Sequence, residues 1–306
     1  MGLSWMRVRG ESIRSRRASL PDCAQTVHRA WSVGVHGFRH LVVRTRRSGA
    51  MNGTRVRLFG YELDPVRLDE AARRVIAMAR EGGRCRYVVT PNVDHSLELQ
   101  RNAAFRRAYA EAALVIADGL PVVLAARLFG DRVPERVAGS DLVPAVFGAA
   151  SRDAPLGVFL LGAGPGVAER AARRIEAEYA GVRVRGVYSP PLGFERDPAE
   201  NERILARVAE ARPDVLLVGL GAPKQELWVH THRERIAAPV ALCIGATIDF
   251  LAGEKPRAPS WMRRLGLEWV HRMASEPRRL VPRYASNAYG FPVLVYREWQ
   301  RRRAAD

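Results

Sequence analysis

YVVTPNVDHSLELQRNAAFRRAYAEAALVIADG, residues Tyr87–Gly119, decides how the rest of the chain is read. It opens on an apolar run rich in β-branched residues, passes through about twenty helix-forming residues, and returns to a second apolar run. The pattern is strand, helix, strand. The first strand breaks off at Thr90-Pro91-Asn92 and the second at Asp118-Gly119. If the two strands are parallel neighbours, both endings lie at the carboxyl edge of a sheet, where open α/β sheets bind ligands. A hydroxyl, an amide and a carboxylate then meet in one crevice. For Asp118 two readings stand side by side, a general base near a substrate hydroxyl or the N-cap of the following helix. For Thr90 and Asn92 the alternative to a ligand role is turn chemistry.

The alternation continues outward. DPVRLDEAARRVIAMARE has helical apolar spacing and stops at Gly82-Gly83. After the LPVVLAARLF helix come a charged loop, Gly130 to Gly139, and a helix capped by Ser140. Strands LGVFLLG, VRVRGVY, DVLLVGL and PVALCIG then alternate with helices VAERAARRIEAEY, PAENERILARVAEA and KQELWVHTHRERI. Strands separated by helices of this length imply βαβ units, hence an α/β fold of Rossmann-like, parallel-sheet architecture.

Three further strand endings carry polar or glycine-rich text. Gly162-Ala-Gly164-Pro-Gly166 is a strand-to-helix turn of the kind that offers backbone N–H groups to a phosphate. Val167 stands where a dinucleotide fingerprint needs its third glycine, and no acidic residue ends the next strand, which counts against a nicotinamide-dependent oxidoreductase. Gly219-Leu-Gly221-Ala-Pro-Lys224-Gln225-Glu226 is a second such turn; Lys224 and Lys255 are the two lysines of a chain that otherwise uses Arg. Asp249, after the last strand, suits a ribose hydroxyl or a helix cap. His230 and His232 lie two apart on a helix, and there is no HExxH, CxxC or GxSxG, so neither a metal centre nor a serine hydrolase is expected.

The chain has 306 residues and a net charge of +17. Residues 1–50 hold ten Arg against two acids and residues 259–306 ten Arg against four, so the middle is left nearly neutral. A nucleic-acid binder would carry its charge on the folded face, so no nucleic-acid partner is expected. Basic ends suit an anionic membrane surface. Three segments follow: a basic extension, 1–50, with no sustained period; an α/β core, 51–258; and a basic, aromatic-rich appendage, 259–306. For the appendage, amphipathic helices on a membrane and a helix packed on the core with a solvated basic face are equal readings. No run approaches a bilayer span, and no secretory signal is legible. The three cysteines, Cys23, Cys85 and Cys243, are odd in number and widely spaced, and Cys85 and Cys243, in apolar strand-like runs, read as buried thiols in a reducing compartment. The expected location is the cytoplasm.

TPN, ADG, RVAGSDL, LLGAGPGVA, GLGAPKQE, GATIDFLAGEKPRAP and LGLEWVHRMASEPRRL, in this order over about residues 55 to 290, together resemble the WecG/TagA/CpsF bacterial glycosyltransferases. The resemblance implies an inverting transferase that takes a sugar, of the N-acetylmannosamine type or a related hexose, from a UDP donor. The acceptor is a polyprenyl-diphosphate-linked saccharide in cell-envelope, teichoic-acid or exopolysaccharide synthesis. It also implies metal independence, no cofactor, a peripheral position on the inner face of the plasma membrane, and an appendage that completes the site there. Asp118 matches the base, with Thr90 and Asn92 beside it. Gly162, Gly164, Gly221, Lys224, Gln225 and Asp249 become candidates for the UDP-sugar. Arg272 and Arg279 match appendage arginines that meet the diphosphate, with Arg283 the nearest third. A homo-oligomer stays open, and SPPLGF departs from the usual wording of its motif.

Overall fold

The computed structural model describes residues 55–259, 262 and 267–304; the basic extension, 1–50, lies outside them. A hairpin comes first, β1 (Val56–Leu58) and β2 (Tyr61–Leu63), antiparallel with Val56 opposite Leu63. Its turn is Phe59-Gly60, with φ 51° and 84°, the double left-handed geometry that matches the twist of a tight hairpin.

The apolar runs form one sheet of six strands: β3 (Arg86–Val89), β4 (Leu114–Val115), β5 (Leu156–Gly162), β6 (Val182–Tyr188), β7 (Val215–Gly219) and β8 (Val240–Cys243). The order is β4-β3-β8-β7-β5-β6 and every pair is parallel. Alternate side chains enter opposite cores. Tyr87, Val89, Val115, Phe159 and Leu161 point into one; Val88, Leu114, Val158 and Leu160 point into the other. Burial on both faces explains why these strands read as continuous apolar runs.

The first core is covered by α2 (Val93–Arg101), α3 (Ala103–Ala110), α4 (Leu120–Leu128), α7 (Pro198–Ala211) and α8 (Lys224–His232). The second is covered by α1 (Leu68–Glu81), α5 (Gly139–Gly148), α6 (Val167–Glu178) and α9 (Thr247–Ala252). Two helices close the chain, α10 (Glu268–Ser275) and α11 (Pro277–Arg303).

Two local expectations are corrected. The helix after Thr90-Pro91-Asn92 is two helices, because Asn102 ends α2 and its side chain caps α3 by accepting from the Phe105 N–H at 3.0 Å. Ser140 does not cap α5: Ala138 is the cap residue, and the Ser140 hydroxyl accepts from Arg257 at 3.2 Å instead. The final helix is tied to the core. Leu280 and Leu294 are buried, Phe291 meets Phe59 edge-on, and Asn287 donates to Asp94 at 2.7 Å. Arg302 bonds Asp131 at 2.7 Å, Glu298 at 2.8 Å and the Arg57 carbonyl at 2.7 Å. The outer face of α11 keeps Val281, Tyr289, Val293 and Tyr296 exposed. The reading of a helix packed on the core is thus met by the inner face of α11, while its outer face leaves an apolar and aromatic strip exposed. No helix among the described residues is long and apolar enough to cross a membrane.

Candidate active site

Because the sheet is parallel, all six strands deliver their carboxyl ends to one edge. β3 and β4 are neighbours, with Val88 opposite Leu114 and Val89 opposite Val115. Beyond the strands the pairing continues through Ile116 N–H to the Val89 carbonyl at 3.0 Å and Asp118 N–H to the Pro91 carbonyl at 2.8 Å. That last bond fixes Asp118 beside Thr90-Pro91-Asn92. The cap residue of α4 is Gly119, with no side-chain cap bond, so the Asp118 carboxylate is not used as a helix cap. The turn chemistry read for Asn92 is present: its side-chain oxygen caps α2 by accepting from the His95 N–H at 3.2 Å. Thr90 is buried beside it.

Asp118 retains 28% of its side-chain surface, yet burial pushes its carboxyl up to about 7. The Arg136 guanidinium, 3.7 Å away, opposes the rise, and Glu268 adds to it. A carboxylate that is half protonated near neutral pH is suited to accept a proton from a sugar hydroxyl. Beneath the site His95 is bonded to the Tyr109 hydroxyl at 2.6 Å. Burial holds the imidazole down at about 4, so it is neutral.

Three residues not singled out by the sequence reading face Asp118, namely Arg136, Asp141 and Glu268, and a fourth, Arg257, braces Asp141 behind them. Arg136 bonds Asp141 at 2.9 Å and lies 3.5 Å from Glu268. Asp141 is also gripped by Arg257 at 2.5 Å. Arg136 and Asp141 belong to RVAGSDL, Arg257 to KPRAP and Glu268 to LGLEW. The motifs were visible, but their convergence was not, since residues 118, 136, 257 and 268 are brought together only by tertiary packing.

The second group of candidates lies where β5 and β7 end. Gly162 (φ 118°) stands so close to Gly219 that a Cβ on it would sit 2.5 Å from the Gly219 carbonyl oxygen. The GAGPG and GLGAP turns are thereby pressed together, with Gly164 and Gly221 in the two loops. Gln225 is buried, and its side-chain oxygen accepts from the Gly245 N–H at 3.1 Å, bracing the β7 loop against the β8 loop. Lys224 pairs with Glu195 of the Pro-rich loop at 3.3 Å. Asp249 lies 3.7 Å from Lys255, which also holds Glu276 between α10 and α11 at 2.9 Å.

Of the appendage arginines, Arg272 enters the site: its guanidinium lies 5.7 Å from the Phe250 ring centre, and its charge favours ionised Asp118. Arg283 is paired with Asp94 in the first turn of α2. The side chain of Arg279 lies outside the described residues. His230 contacts the Tyr87 hydroxyl at 3.0 Å and His232 packs on Trp228, so the two histidines do not converge. Among the described residues no three His, Cys, Asp or Glu side chains gather as a metal site.

Comparison with known proteins follows the same outline. The Glycosyl transferase WecG/TagA/CpsF family profile matches residues 56–305. Three relatives are each named N-acetylglucosaminyldiphosphoundecaprenol N-acetyl-beta-D-mannosaminyltransferase. That of Bacillus spizizenii is 29% identical over 65% of this chain and 77% of its own length. That of Bacillus subtilis strain 168 is 34% identical over 56% and 66%, and that of Staphylococcus aureus MW2 25% identical over 80% and 92%. The match runs from the first strand of the hairpin to the end of α11, through the strand endings and the appendage alike, and the chain belongs to the WecG/TagA/CpsF family of glycosyltransferases.

Proposed function

We propose that this protein transfers an N-acetylmannosamine-type sugar from UDP to a GlcNAc-diphosphate-polyprenol, with inversion and without a metal ion. The observation that carries the reading is Asp118: a carboxylate at the carboxyl edge of the sheet, not used as a helix cap, and raised by burial to about 7. The acceptor hydroxyl oxygen attacks the anomeric carbon from the face opposite UDP. The new C–O bond forms as the bond to the β-phosphate oxygen breaks, and the hydroxyl proton passes to Asp118. Negative charge then appears on the departing β-phosphate, and fixed cationic groups lower the barrier most when they already stand where that charge develops. Arg272 is assigned this role. Gly162, Gly164 and Gly221 offer backbone N–H groups to the nucleotide phosphates, and Asp249 takes a ribose hydroxyl.

The names of the relatives support the acceptor class, since each acts on N-acetylglucosaminyldiphosphoundecaprenol. The exposed Val281, Tyr289, Val293 and Tyr296, with Arg on the same helix, support a peripheral position on an anionic bilayer. The test is a panel of UDP-sugars with a polyprenyl-diphosphate-GlcNAc analogue in anionic vesicles, with and without EDTA. UDP release that needs both substrates and survives EDTA is the expected outcome. Release without acceptor dependence, or loss in EDTA, refutes the corresponding part.

A further inference from the structure

Arg136 is the most contested cation in the site. Its side chain is only 17% exposed and three carboxylates face it. Nη2 is committed to Asp141 at 2.9 Å, and Asp141 is held in turn by Arg257. Nη1 faces two claimants at once, Asp118 at 3.7 Å and Glu268 at 3.5 Å. Neither distance is a hydrogen bond; charge-assisted pairs close to about 2.8 Å when nothing competes. Asp118 belongs to the catalytic core, whereas Glu268 arrives on the first turn of α10, over 100 residues later in the chain.

We propose that Glu268 is a positioning residue that shares Arg136 with Asp118, so that the base stands free of a closed ion pair while the C-terminal helices are docked. The proposal rests on the reading of Asp118 as the base. Without Glu268, Nη1 has one claimant left, and Arg136 closes on Asp118. The carboxylate is then locked by a charge-assisted bond and becomes a weaker proton acceptor. The groups that face Asp118 are Arg136 before α5, Asp141 on α5, Glu268 and Arg272 on α10, and the Tyr109 hydroxyl on α3. Glu268 is the one among them that both opposes the two arginines and depends on docking. α10 is held on the core by the Lys255–Glu276 pair and by Arg272 against Phe250. Its successor is held by Arg302 on Asp131. Loss of docking therefore removes Glu268 from Arg136 and Arg272 from the leaving group together, and transfer away from the docked state is suppressed at two points.

The experiment measures kcat/KM against pH, from about 5.5 to 9, in the full-length protein with UDP-sugar and vesicle-borne acceptor analogue. Wild type is compared with Glu268→Gln, Glu268→Asp and Asp118→Asn. Glu268→Gln is expected to move the acid limb down by roughly half to one pH unit. It should also lower the plateau kcat roughly tenfold, with the KM for the donor unchanged. Glu268→Asp restores the limb in part, because the charge is kept at shorter reach. A purely structural role would lower activity and melting temperature without moving the limb. An inactive Asp118→Asn together with an unmoved limb in Glu268→Gln overturns the role of Glu268 alone. Asp118→Asn with the wild-type rate removes the base reading and this proposal with it.

Discussion

Replacing Asp118 by Asn removes a charge and a proton acceptor while keeping the side-chain shape, so its two consequences run in opposite directions. Loss of a general base costs on the order of 10²- to 10⁴-fold in kcat. Stability, by contrast, should rise. Burial lifts the native carboxyl from 3.8 to about 7, so the folded protein takes up a proton between those values that the unfolded chain does not. A group raised in this way has its stabilising effect in full below the unfolded value and loses it as pH rises through the folded one. Roughly three units at about 1.4 kcal/mol each give an upper bound of about 4 kcal/mol. The carboxylate keeps 28% of its surface in contact with solvent, so roughly 2–3 kcal/mol is expected after screening. Urea unfolding of wild type and variant at pH 8 and at pH 4 reads this directly, with the variant more stable at pH 8 and the gap closing at pH 4. In the same preparation, wild-type kcat/KM should fall about tenfold per unit below pH 7. A variant that keeps the wild-type rate, or whose stability tracks wild type at both pH values, refutes the reasoning.

Three further outcomes follow from the geometry. Gly162→Ala places a Cβ at 2.5 Å from the Gly219 carbonyl oxygen at φ 118°, and should cost about 3 kcal/mol or more in chemical denaturation and abolish UDP-sugar binding by calorimetry. Glu226 is fully buried, accepts from Gln225 at 2.7 Å, and burial raises its carboxyl from 4.5 to about 7. Glu226→Gln should therefore gain up to about 3 kcal/mol over wild type above pH 7, with the gain vanishing below the unfolded value of 4.5. Arg302→Ala strips Glu298, 3% exposed, of one of its two arginine partners and Asp131 of its ion pair. A loss of about 2 kcal/mol and faster amide exchange along α11 are expected.

Much of the architecture was legible because burial on both faces writes itself into a strand as an unbroken apolar run. The endings Thr90-Pro91-Asn92 and Asp118-Gly119 stood out because short polar residues interrupt those runs. The Asn102 break was not legible, since a side-chain cap between two helical stretches leaves the apolar spacing almost unchanged. Ser140 misled for the opposite reason: a good cap residue was diverted by Arg257, more than 100 residues away in sequence. Lys224 and Lys255 stand out in the sequence by their rarity, and the structure gives both an ion-pair partner, Glu195 for Lys224 and Asp249 with Glu276 for Lys255.

By itself the sequence determined the class of fold, the strand endings that carry chemistry, and, through the motif series, the family. These are local properties, set by side-chain periodicity and turn chemistry within a few residues. Tertiary structure decided the strand order, which inserts β8 between β3 and β7. It also decided that one guanidinium, Arg136, would be divided among Asp118, Asp141 and Glu268. Neither is written in any local pattern, because strand neighbours are chosen by how the crossing helices pack, and a shared cation by where distant segments land.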